Sequence, residues 1–317
     1  MSSNWLSYDL PQYIGELFQK GRRPNTTLQL IGGIGSWRPY QSWEFPVGQE
    51  YEVASHVAST ARLEGADAPA HAGIVRSPIT NVTQIWQEAV KVSYTAQATG
   101  QQLTGLAIGG ESDPVADELA FQTGAKLEYV ARNLNWTLLN QTYNKPADNQ
   151  AARRTRGLRE AITSNTVNAA GEAFDLSMVD DLFAQIVANG GTDDGENMLV
   201  LANTAQLRKM NEFFRTDKLK VDDERFIGGV RVRTVYSTFG QLNFVLERDL
   251  PQDELLFVNF DVVNLVATPI PNKGVLFLEE LAKTGASENY QLYGEIGLGH
   301  GPEWHHGKIT DLDDGTS

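Results

Sequence analysis

One very long amphipathic helix is predicted in the middle of the chain, and few folds can accommodate it. It covers the stretch "SDPVADELAFQTGAKLEYVARNLNWTLLNQ", from Ser112 to Gln141. Asp113 can cap its start, and Pro114 suits the first helical position. Apolar residues recur at steps of three and four and therefore share one face; they are Leu119, Leu127, Val130, Ala131, Leu134 and Leu138. About 28 helical residues would span roughly 42 Å, so this helix must brace a large domain or form the core of an enzyme.

The residues before this helix predict an arm followed by a long hairpin. Residues 1–45 mix short apolar runs with Gly and Pro, show no sustained periodicity and carry several large aromatic side chains. Strand-like stretches at Tyr51–Ala61 and Thr83–Thr95 flank a polar tip near Glu64–Gly73. A lone two-stranded hairpin is only marginally stable in water. We therefore expect a partner to lie along this hairpin, and we expect the arm to pack on another surface.

The residues after the helix predict a compact mixed region. A helix is expected over 176–189, a buried strand at "MLVLA", and a second helix capped by Asn203 or Thr204. Alternating apolar residues from Phe226 to Pro269 predict strands with a turn at Ser237–Gln241. The C-terminal stretch predicts a short strand–helix unit and two further strands. No internal repeat is present, and the overall class is α+β.

Composition and charge exclude several classes of function. The net charge is −14, and residues 166–264 contribute −8 while residues 265–317 contribute −5. This acidity argues against nucleic-acid binding, which depends on Lys and Arg neutralising phosphates. No apolar run reaches the roughly 18 residues of a membrane span, and the start lacks the layout of a secretory signal, so we expect a protein made and kept in a cytoplasm. The absence of cysteine excludes disulfides, thiolate catalysis and cysteine zinc sites.

No motif predicts a catalytic, cofactor or metal site. The glycine-rich stretches "IGGIGSW" and "GEIGLGHG" lack the phosphate-loop pattern G-x-x-x-x-G-K-[ST]. His300, His305 and His306 with Glu303 contain metal-ligating atoms, but adjacent histidines on a strand would point to opposite sides. The sequence also has no H-E-x-x-H helix. We therefore predict no enzymatic activity, no cofactor and no metal site.

The chain has one basic cluster, within "RRTRGLR". It consists of Arg153, Arg154, Arg156 and Arg159. Three interpretations are open at this point: a solvated helix flank, bidentate pairing with carboxylates of a neighbouring chain, or contacts to phosphate.

In their order along the chain, these parts resemble the major capsid protein of tailed bacteriophages, of the Hong Kong 97 phage type. The stretches "YDLPQYIGELF", "TRGLREAI" and "TVYSTFGQLNFVLERDLP" resemble one subfamily of these capsid proteins in particular. The resemblance spans nearly the whole chain. It implies an α+β fold with an N-terminal arm, an extended loop, a long spine helix, a peripheral domain and an axial domain.

The resemblance also implies boundaries for these parts. The expected ranges are 1–45 for the arm, 46–110 for the extended loop and its connection, 111–165 for the spine helix and the first part of the peripheral domain, 166–264 for the axial domain, and 265–317 for the return strands of the peripheral domain and the C-terminus.

The function implied by the resemblance is that of a shell subunit. Copies of the chain would form hexamers and pentamers, which close into an icosahedral head around double-stranded DNA in a virion assembled in a bacterial cytoplasm. Scaffolding, portal and decoration proteins would be further partners, the DNA would be enclosed without sequence-specific binding, and no membrane would be involved. An encapsulin-like compartment of the same fold, or a soluble enzyme with an unrecognised site, remains an alternative.

Eight residues are candidates for contacts between subunits. They are the four arginines of the basic cluster, Trp37 and Trp43 of the arm, and Glu64 and Asp67 of the loop tip.

Some members of the resembled family join their subunits through Lys–Asn isopeptide bonds made from a lysine on the extended loop. In this chain the tip "STARLEGADAPAHAG" contains no lysine. Between Lys20 and Lys126 the only lysine is Lys91, which the strand pattern puts near the base of the loop. An arginine cannot replace it, because a guanidinium stays protonated in proteins. We therefore predict a shell held by non-covalent contacts alone.

Overall fold

Five helices lie along the part of the chain that the structure describes. The computed structural model describes residues 24–51, 61–68, 73–95, 118–191, 198–216, 221–227, 230–237, 240–283 and 285–314. The helices in these residues are α1 (Thr26–Leu30), α2 (Glu118–Asn140), α3 (Leu158–Ala161), α4 (Leu176–Ala188) and α5 (Thr204–Thr216).

The strands of the described residues form three sheets. A five-stranded sheet has the order β1 (Trp37–Pro39), β11 (Asn264–Ala267), β13 (Ser287–Gly299) and β12 (Leu276–Glu280), and β4 (Gln84–Ser93) also pairs with β13. A seven-stranded sheet has the order β5 (Thr166–Asn168), β14 (Gly307–Thr310), β10 (Leu255–Asn259), β6 (Met198–Ala202), β9 (Gly240–Leu246), β8 (Val230–Ser237) and β7 (Val221–Ile227). The third sheet is a hairpin of β2 (Glu44–Tyr51) and β3 (Arg76–Val82).

The predicted long helix is confirmed as α2, here called the spine helix. Its predicted start at Asp113 and Pro114 lies outside the described residues. Val130, Leu134 and Leu138 are buried, as the periodicity predicts, whereas Leu127 is exposed. The fully buried side chains of this helix therefore all lie in its C-terminal half.

Two hydrophobic cores share the seven-stranded sheet. All five residues of β6 are buried, which explains why "MLVLA" reads as a continuous apolar run. Leu199 and Leu201 belong to one core with the spine helix and the five-stranded sheet. Met198, Val200 and Ala202 point into the other core, against α4. The predicted helices at 176–189 and after Asn203 are confirmed as α4 and α5.

The N-terminal part differs from the expected extended arm wherever it is described. Residues 26–30 form α1, with Leu28 buried in the core, and β1 pairs in parallel with β11. Phe45 is also buried. From residue 24 onward this segment is therefore part of the subunit body. Residues 1–23 lie outside the described residues.

A hairpin is present, formed by the strand Glu44–Tyr51 and its partner Arg76–Val82. Of the predicted strand over Tyr51–Ala61, residues 52–60 lie outside the described residues. The predicted strand over Thr83–Thr95 exists as β4, yet it pairs with β13, about 200 residues further along the chain. Alternation along a strand does not specify which strand will be its partner.

The C-terminal part also differs from the prediction in two places. The strand of the predicted strand–helix unit is β12, and in the described residues between β12 and β13 no helix follows it. Among the return strands, β13 joins the five-stranded sheet, whereas β14 joins the seven-stranded sheet between β5 and β10. His305 ends a short 3-10 turn and His306 precedes β14, so the two do not share a strand.

Candidate subunit-contact surface

The tip and shoulders of the hairpin expose large apolar side chains. Leu63 is 85 % exposed and Val75 is 83 % exposed, and Tyr51 and Ile74 are also largely accessible. Solvent-facing apolar groups on a protruding hairpin are typical of a surface that another protein covers. Glu64 and Asp67, predicted as contact residues, lie exposed at this tip.

The outer face of the spine helix is a second exposed apolar surface. Phe121, Tyr129 and Trp136 are exposed and follow one another at steps of eight and seven residues, so they lie on one side of the helix. Lys126 also reaches over the Tyr129 ring, at 5.4 Å from its centroid, and pairs with Glu88 of β4 at 2.9 Å.

An open cleft of about 540 Å³ begins where this helical face ends. Its lining is Gln84, Ile85, Trp136, Asn140, Gln141, Thr142, Asn149, Ala151, Ala152, Arg153 and Arg154. The lining thus combines two exposed apolar residues, Ile85 and Trp136, with two arginines. Such a lining suits a segment that carries both an apolar side chain and carboxylates.

Three of the four arginines of the basic cluster bind groups of their own chain. Arg153 pairs with Glu295 at 3.4 Å and lies over the Trp43 ring, 5.3 Å from its centroid. Arg159 donates from Nε to Glu254 at 2.6 Å.

Arg156 lies 4.4 Å from the centroid of Tyr143. Arg154 is exposed, and its guanidinium has no ion-pair partner among the described residues. Arg154 is therefore the member of the cluster whose charge is most available to another chain.

The two predicted tryptophans lie in or beside strands of the subunit rather than on a free arm. Trp37 opens β1 and is partly exposed. Trp43 directly precedes β2, and its carbonyl accepts a hydrogen bond from the Thr83 amide at 2.8 Å. Lys145 also lies over the Trp43 ring, at 6.0 Å, and pairs with Glu44 at 2.7 Å. Trp43 thus joins the hairpin to the segment that carries the basic cluster.

A buried polar network that the sequence did not reveal holds α1 against the spine helix. The Glu247 carboxylate accepts hydrogen bonds from the Thr27 amide at 2.9 Å and the Thr27 hydroxyl at 2.7 Å. Asn135 donates to Glu247 at 3.3 Å and to Asp249 at 2.7 Å, and its Oδ1 accepts from the Leu28 amide at 3.0 Å. Burial raises the pKa of the Glu247 carboxyl above its ordinary value, while the hydrogen bonds from Thr27 and from the Asp249 amide act in the opposite direction. The sequence places Asn135 off the apolar face of the helix, and no local pattern links it to Glu247.

The histidines singled out in the sequence do not gather around a common point. Within the described residues, no three His, Asp or Glu side chains come together as metal ligands would. Burial lowers the pKa of His300 to about 4 and that of His306 to about 4. The Glu303 carboxylate accepts hydrogen bonds from the Thr163 amide at 2.8 Å and the Ser164 amide at 3.0 Å. It therefore serves as a local backbone cap.

Comparison with known proteins gives a match between this sequence and one family model. A family model described as SU10 major capsid protein matches residues 2–313 of this sequence. No curated protein matches it. Among the described residues, no helix combines the length and apolar character needed to cross a membrane.

Several solved shell structures are similar in fold. The SrpI encapsulin complex from Synechococcus elongatus is 12% identical, with a TM-score of 0.64 over 98% of this chain and 94% of that chain. The capsid of cyanophage A-1(L) is also 12% identical, with a TM-score of 0.61 over 93% of this chain and 95% of that chain. The capsid of Myoviridae phage XM1 is 11% identical, with a TM-score of 0.57 over 97% and 99%. At these identities the similarity concerns the fold alone.

Proposed function

Because the chain belongs to the SU10 major capsid protein family, it is a structural subunit that assembles with copies of itself, and we propose that these copies form hexamers and pentamers. The pentamers and hexamers close an icosahedral phage head around double-stranded DNA, in the cytoplasm of a bacterial host. The family match over residues 2–313 carries this proposal. The proposed parts keep the ranges 46–110, 111–165, 166–264 and 265–317, while residues 24–45 of the expected arm range 1–45 belong to the subunit body.

The acidity of the chain supports a head that encloses DNA without gripping it. The net charge of −14 repels a packaged polyanion, so closure of the shell, rather than affinity for DNA, retains the genome. Portal, scaffolding and decoration proteins are the further partners of such a head. Electron microscopy of particles purified from infected cells tests the proposal. Heads with a portal vertex and packed DNA support it, whereas DNA-free shells filled with a protein cargo would favour an encapsulin-like compartment.

At the contact between subunits, the loop tip of one copy occupies the cleft of its neighbour. The tip offers Leu63 with Glu64 and Asp67, and the cleft offers Trp136 and Ile85 with Arg154. The apolar groups match one another, and the carboxylates match the unpaired guanidinium. Contacts of this head-to-tail kind generate closed rings. Arg153 supports this contact, because it lies over the Trp43 ring at the base of the loop.

Reversing the charge on either side should weaken assembly, and reversing both should restore it. Arg154→Glu, or Glu64→Arg with Asp67→Arg, should each reduce the yield of particles by about tenfold at low salt, because like charges then face each other. The three changes combined should recover most of the loss. Particle yield is measured by sedimentation at several salt concentrations, and the defect should shrink as salt rises, because screening shortens the range of the repulsion.

A matched charge reversal controls for the effect of net charge. Arg208→Glu makes the same change at another exposed arginine, on α5. It should leave the yield near that of the unchanged chain. A triple variant that assembles no better than Arg154→Glu alone would contradict the pairing of tip and cleft.

Mature particles should contain no covalently joined subunits. The structure has Lys91 in β4, in register with Asn289 of β13 and away from the loop tip. On a denaturing gel, particles boiled in detergent should give a single band near 34.9 kDa. A ladder of oligomers would show that subunits are cross-linked and that the prediction is wrong.

A further inference from the structure

The root of the hairpin is fastened by one fully buried amide, that of Asn81. Its Nδ2 donates to the Leu298 carbonyl at 2.7 Å and to the Arg156 carbonyl at 3.3 Å. Its Oδ1 accepts from the Arg156 amide at 2.9 Å and from the Val82 amide at 2.8 Å. All four hydrogen-bonding positions of this side chain are therefore used. Through them, the end of β3 is joined both to β13 and to the segment that carries the basic cluster.

The same point of β13 approaches the root so closely that only glycine fits. A Cβ added at Gly297 would lie 2.8 Å from the Val82 carbonyl oxygen and 3.1 Å from the Phe45 ring. Phe45 lies near the start of β2 and Val82 at the end of β3, so both are at the base of the hairpin, and both are fully buried. The base of the hairpin is thus seated directly on β13, while its tip extends into solvent.

A second set of contacts fixes the other strand of the base. Trp43 holds Thr83 through its carbonyl, which accepts from the Thr83 amide at 2.8 Å and from the Thr83 hydroxyl at 3.3 Å. Its ring lies beneath Arg153, and Arg153 is in turn paired with Glu295 of β13. The backbone on both sides of the root is therefore tied to β13 and to residues 153–156. A hinge at this point would have to break buried hydrogen bonds.

We infer that Asn81 is a positioning residue for assembly: it fixes the direction in which the hairpin leaves the subunit body. This inference rests on the proposed function, because the direction matters only if the tip has to reach a neighbouring subunit. The two strands of the hairpin are 8 and 7 residues long, so a small rotation at its base produces a large displacement of its tip. Arg156, predicted from sequence as a contact to another chain, acts here through its backbone as the support of Asn81.

The direction of the loop can be measured in dispersed subunits, before any assembly. The chain has no cysteine, so spin labels can be attached at Ala66→Cys on the tip and Arg208→Cys on α5, both exposed positions. Pulsed electron–electron double resonance then gives the distribution of distances between the label on the tip and the label on the body. In the otherwise unchanged chain the distribution should be narrow. With Asn81→Ala it should broaden at least about twofold, because opening of the root then lets water reach groups that are otherwise buried and unpaired. At the same subunit concentration, Asn81→Ala should also form about tenfold fewer particles than the unchanged chain.

Asn165 provides a matched control, because it is an equally buried asparagine away from the root. Its Nδ2 donates to the Trp304 carbonyl at 2.9 Å and to the His306 carbonyl at 2.8 Å. Asn165→Ala should therefore lower the unfolding temperature about as much as Asn81→Ala, yet leave the distance distribution narrow. A general loss of stability and a loss of loop direction are thereby separated.

A second pair of variants tests the root without touching a hydrogen bond. Gly297→Ala should push the base of the hairpin off β13 and shift the distance distribution. Gly294→Ala makes an equally tight contact on the same strand, 2.7 Å from the Val275 carbonyl oxygen on the side of β12, and should not shift it. This pair keeps the test decisive if Asn81→Ala fails to fold.

The outcomes separate the inference from the proposed function. If Asn81→Ala and Gly297→Ala leave the distances unchanged, the root does not set the loop direction and the inference is wrong. If the distances broaden while particles form as in the unchanged chain, loop direction does not govern assembly and the inference is wrong again. If the unchanged chain forms no particles under any condition, the proposed function fails, whatever the distances show.

Discussion

Replacing Glu247 by alanine should lower the unfolding temperature of the subunit by about 5–10 °C, from a loss of about 3–5 kcal/mol. The carboxylate is fully buried and accepts hydrogen bonds from Thr27, Asn135 and Asp249. Removing it leaves several donors buried without an acceptor, which is far more destabilising than the loss of an exposed group. It also removes the contact that holds α1 to the end of β9.

The N-terminal segment should loosen selectively in this variant. Thr26 donates to the Leu246 carbonyl at 3.1 Å. Thr27, which Glu247 binds, is followed directly by Leu28, which lies in the core. Loss of the Glu247 contacts should therefore let the hydrogen-bonded amides of α1 open to solvent more often. Their hydrogen exchange, followed by mass spectrometry, should speed up by about tenfold or more relative to exchange elsewhere in the chain, because local opening then requires less free energy.

Two comparison variants sharpen this test. Glu247→Gln keeps the shape and one acceptor but turns a donor toward Thr27, so it should fall between alanine and the unchanged chain. Glu303→Ala also removes a carboxylate that accepts backbone amides, but this carboxylate lies at the surface of the subunit. Its effect should be about 1 kcal/mol, the usual contribution of a cap. Equal effects of Glu247→Ala and Glu303→Ala would contradict the view that the buried network anchors α1.

Elements with a strong local signal could be predicted from the sequence. The spine helix and α4 each carry their own period of apolar residues, which indicates the side that faces the core, and β6 is a continuous apolar run buried on both faces. Val130, Leu134 and Leu138 are buried for this reason. The pairing of β8 with β9 could likewise be predicted from a few adjacent residues.

The contacts that decide the candidate site depend on pairs far apart in sequence. Glu247 stands in "VLERD", where it reads as a surface residue, and its partner Thr27 is 220 positions away. Asn81 meets Leu298 across 217 positions. Polar side chains of this kind are stable in the interior only because the fold supplies their partners, and periodicity cannot reveal those partners. The same holds for Arg153 and Arg159, whose carboxylates lie 142 and 95 positions away.

Acid should destabilise the subunit between about pH 6.5 and pH 4, through two buried histidines. His306 accepts a hydrogen bond at Nδ1 from the Asn259 amide at 3.2 Å, and its Nε2 lies 2.7 Å from the His300 carbonyl. Since a carbonyl cannot donate, Nε2 carries the proton and the ring is neutral. The ring nitrogens of His300 have no hydrogen-bond partner among the described residues. Both rings are thus held uncharged in the interior.

The groups around these rings explain the direction of their pKa shifts. Burial is the largest cause in both and lowers the pKa of each to about 4. Arg156 lowers the pKa of His300 further, and the neighbouring histidines lower that of His306. The Glu303 carboxylate acts in the opposite direction on both. Protonation is therefore easier in the unfolded chain, where a histidine titrates near 6.5.

The sign of the pH dependence follows from this difference. Between pH 6.5 and 4 the unfolded chain binds more protons than the folded chain, so the free energy of unfolding falls as the pH falls. The contribution is fully present above pH 6.5 and is lost on the way to pH 4, at about 3 kcal/mol for each ring. The raised pKa of Glu247 acts in the opposite sense, because it favours the folded state at lower pH. A variant must therefore be compared with its parent at each pH.

His300→Leu should flatten this dependence by about half, because it removes one of the two rings and breaks no side-chain hydrogen bond. Unfolding midpoints of dispersed subunits are measured from pH 8 to pH 4 for the variant and the unchanged chain. Their difference should favour the variant increasingly as the pH falls below 6.5. Parallel curves for His300→Leu and the unchanged chain over the whole range would show that His300 is not held neutral in the folded subunit.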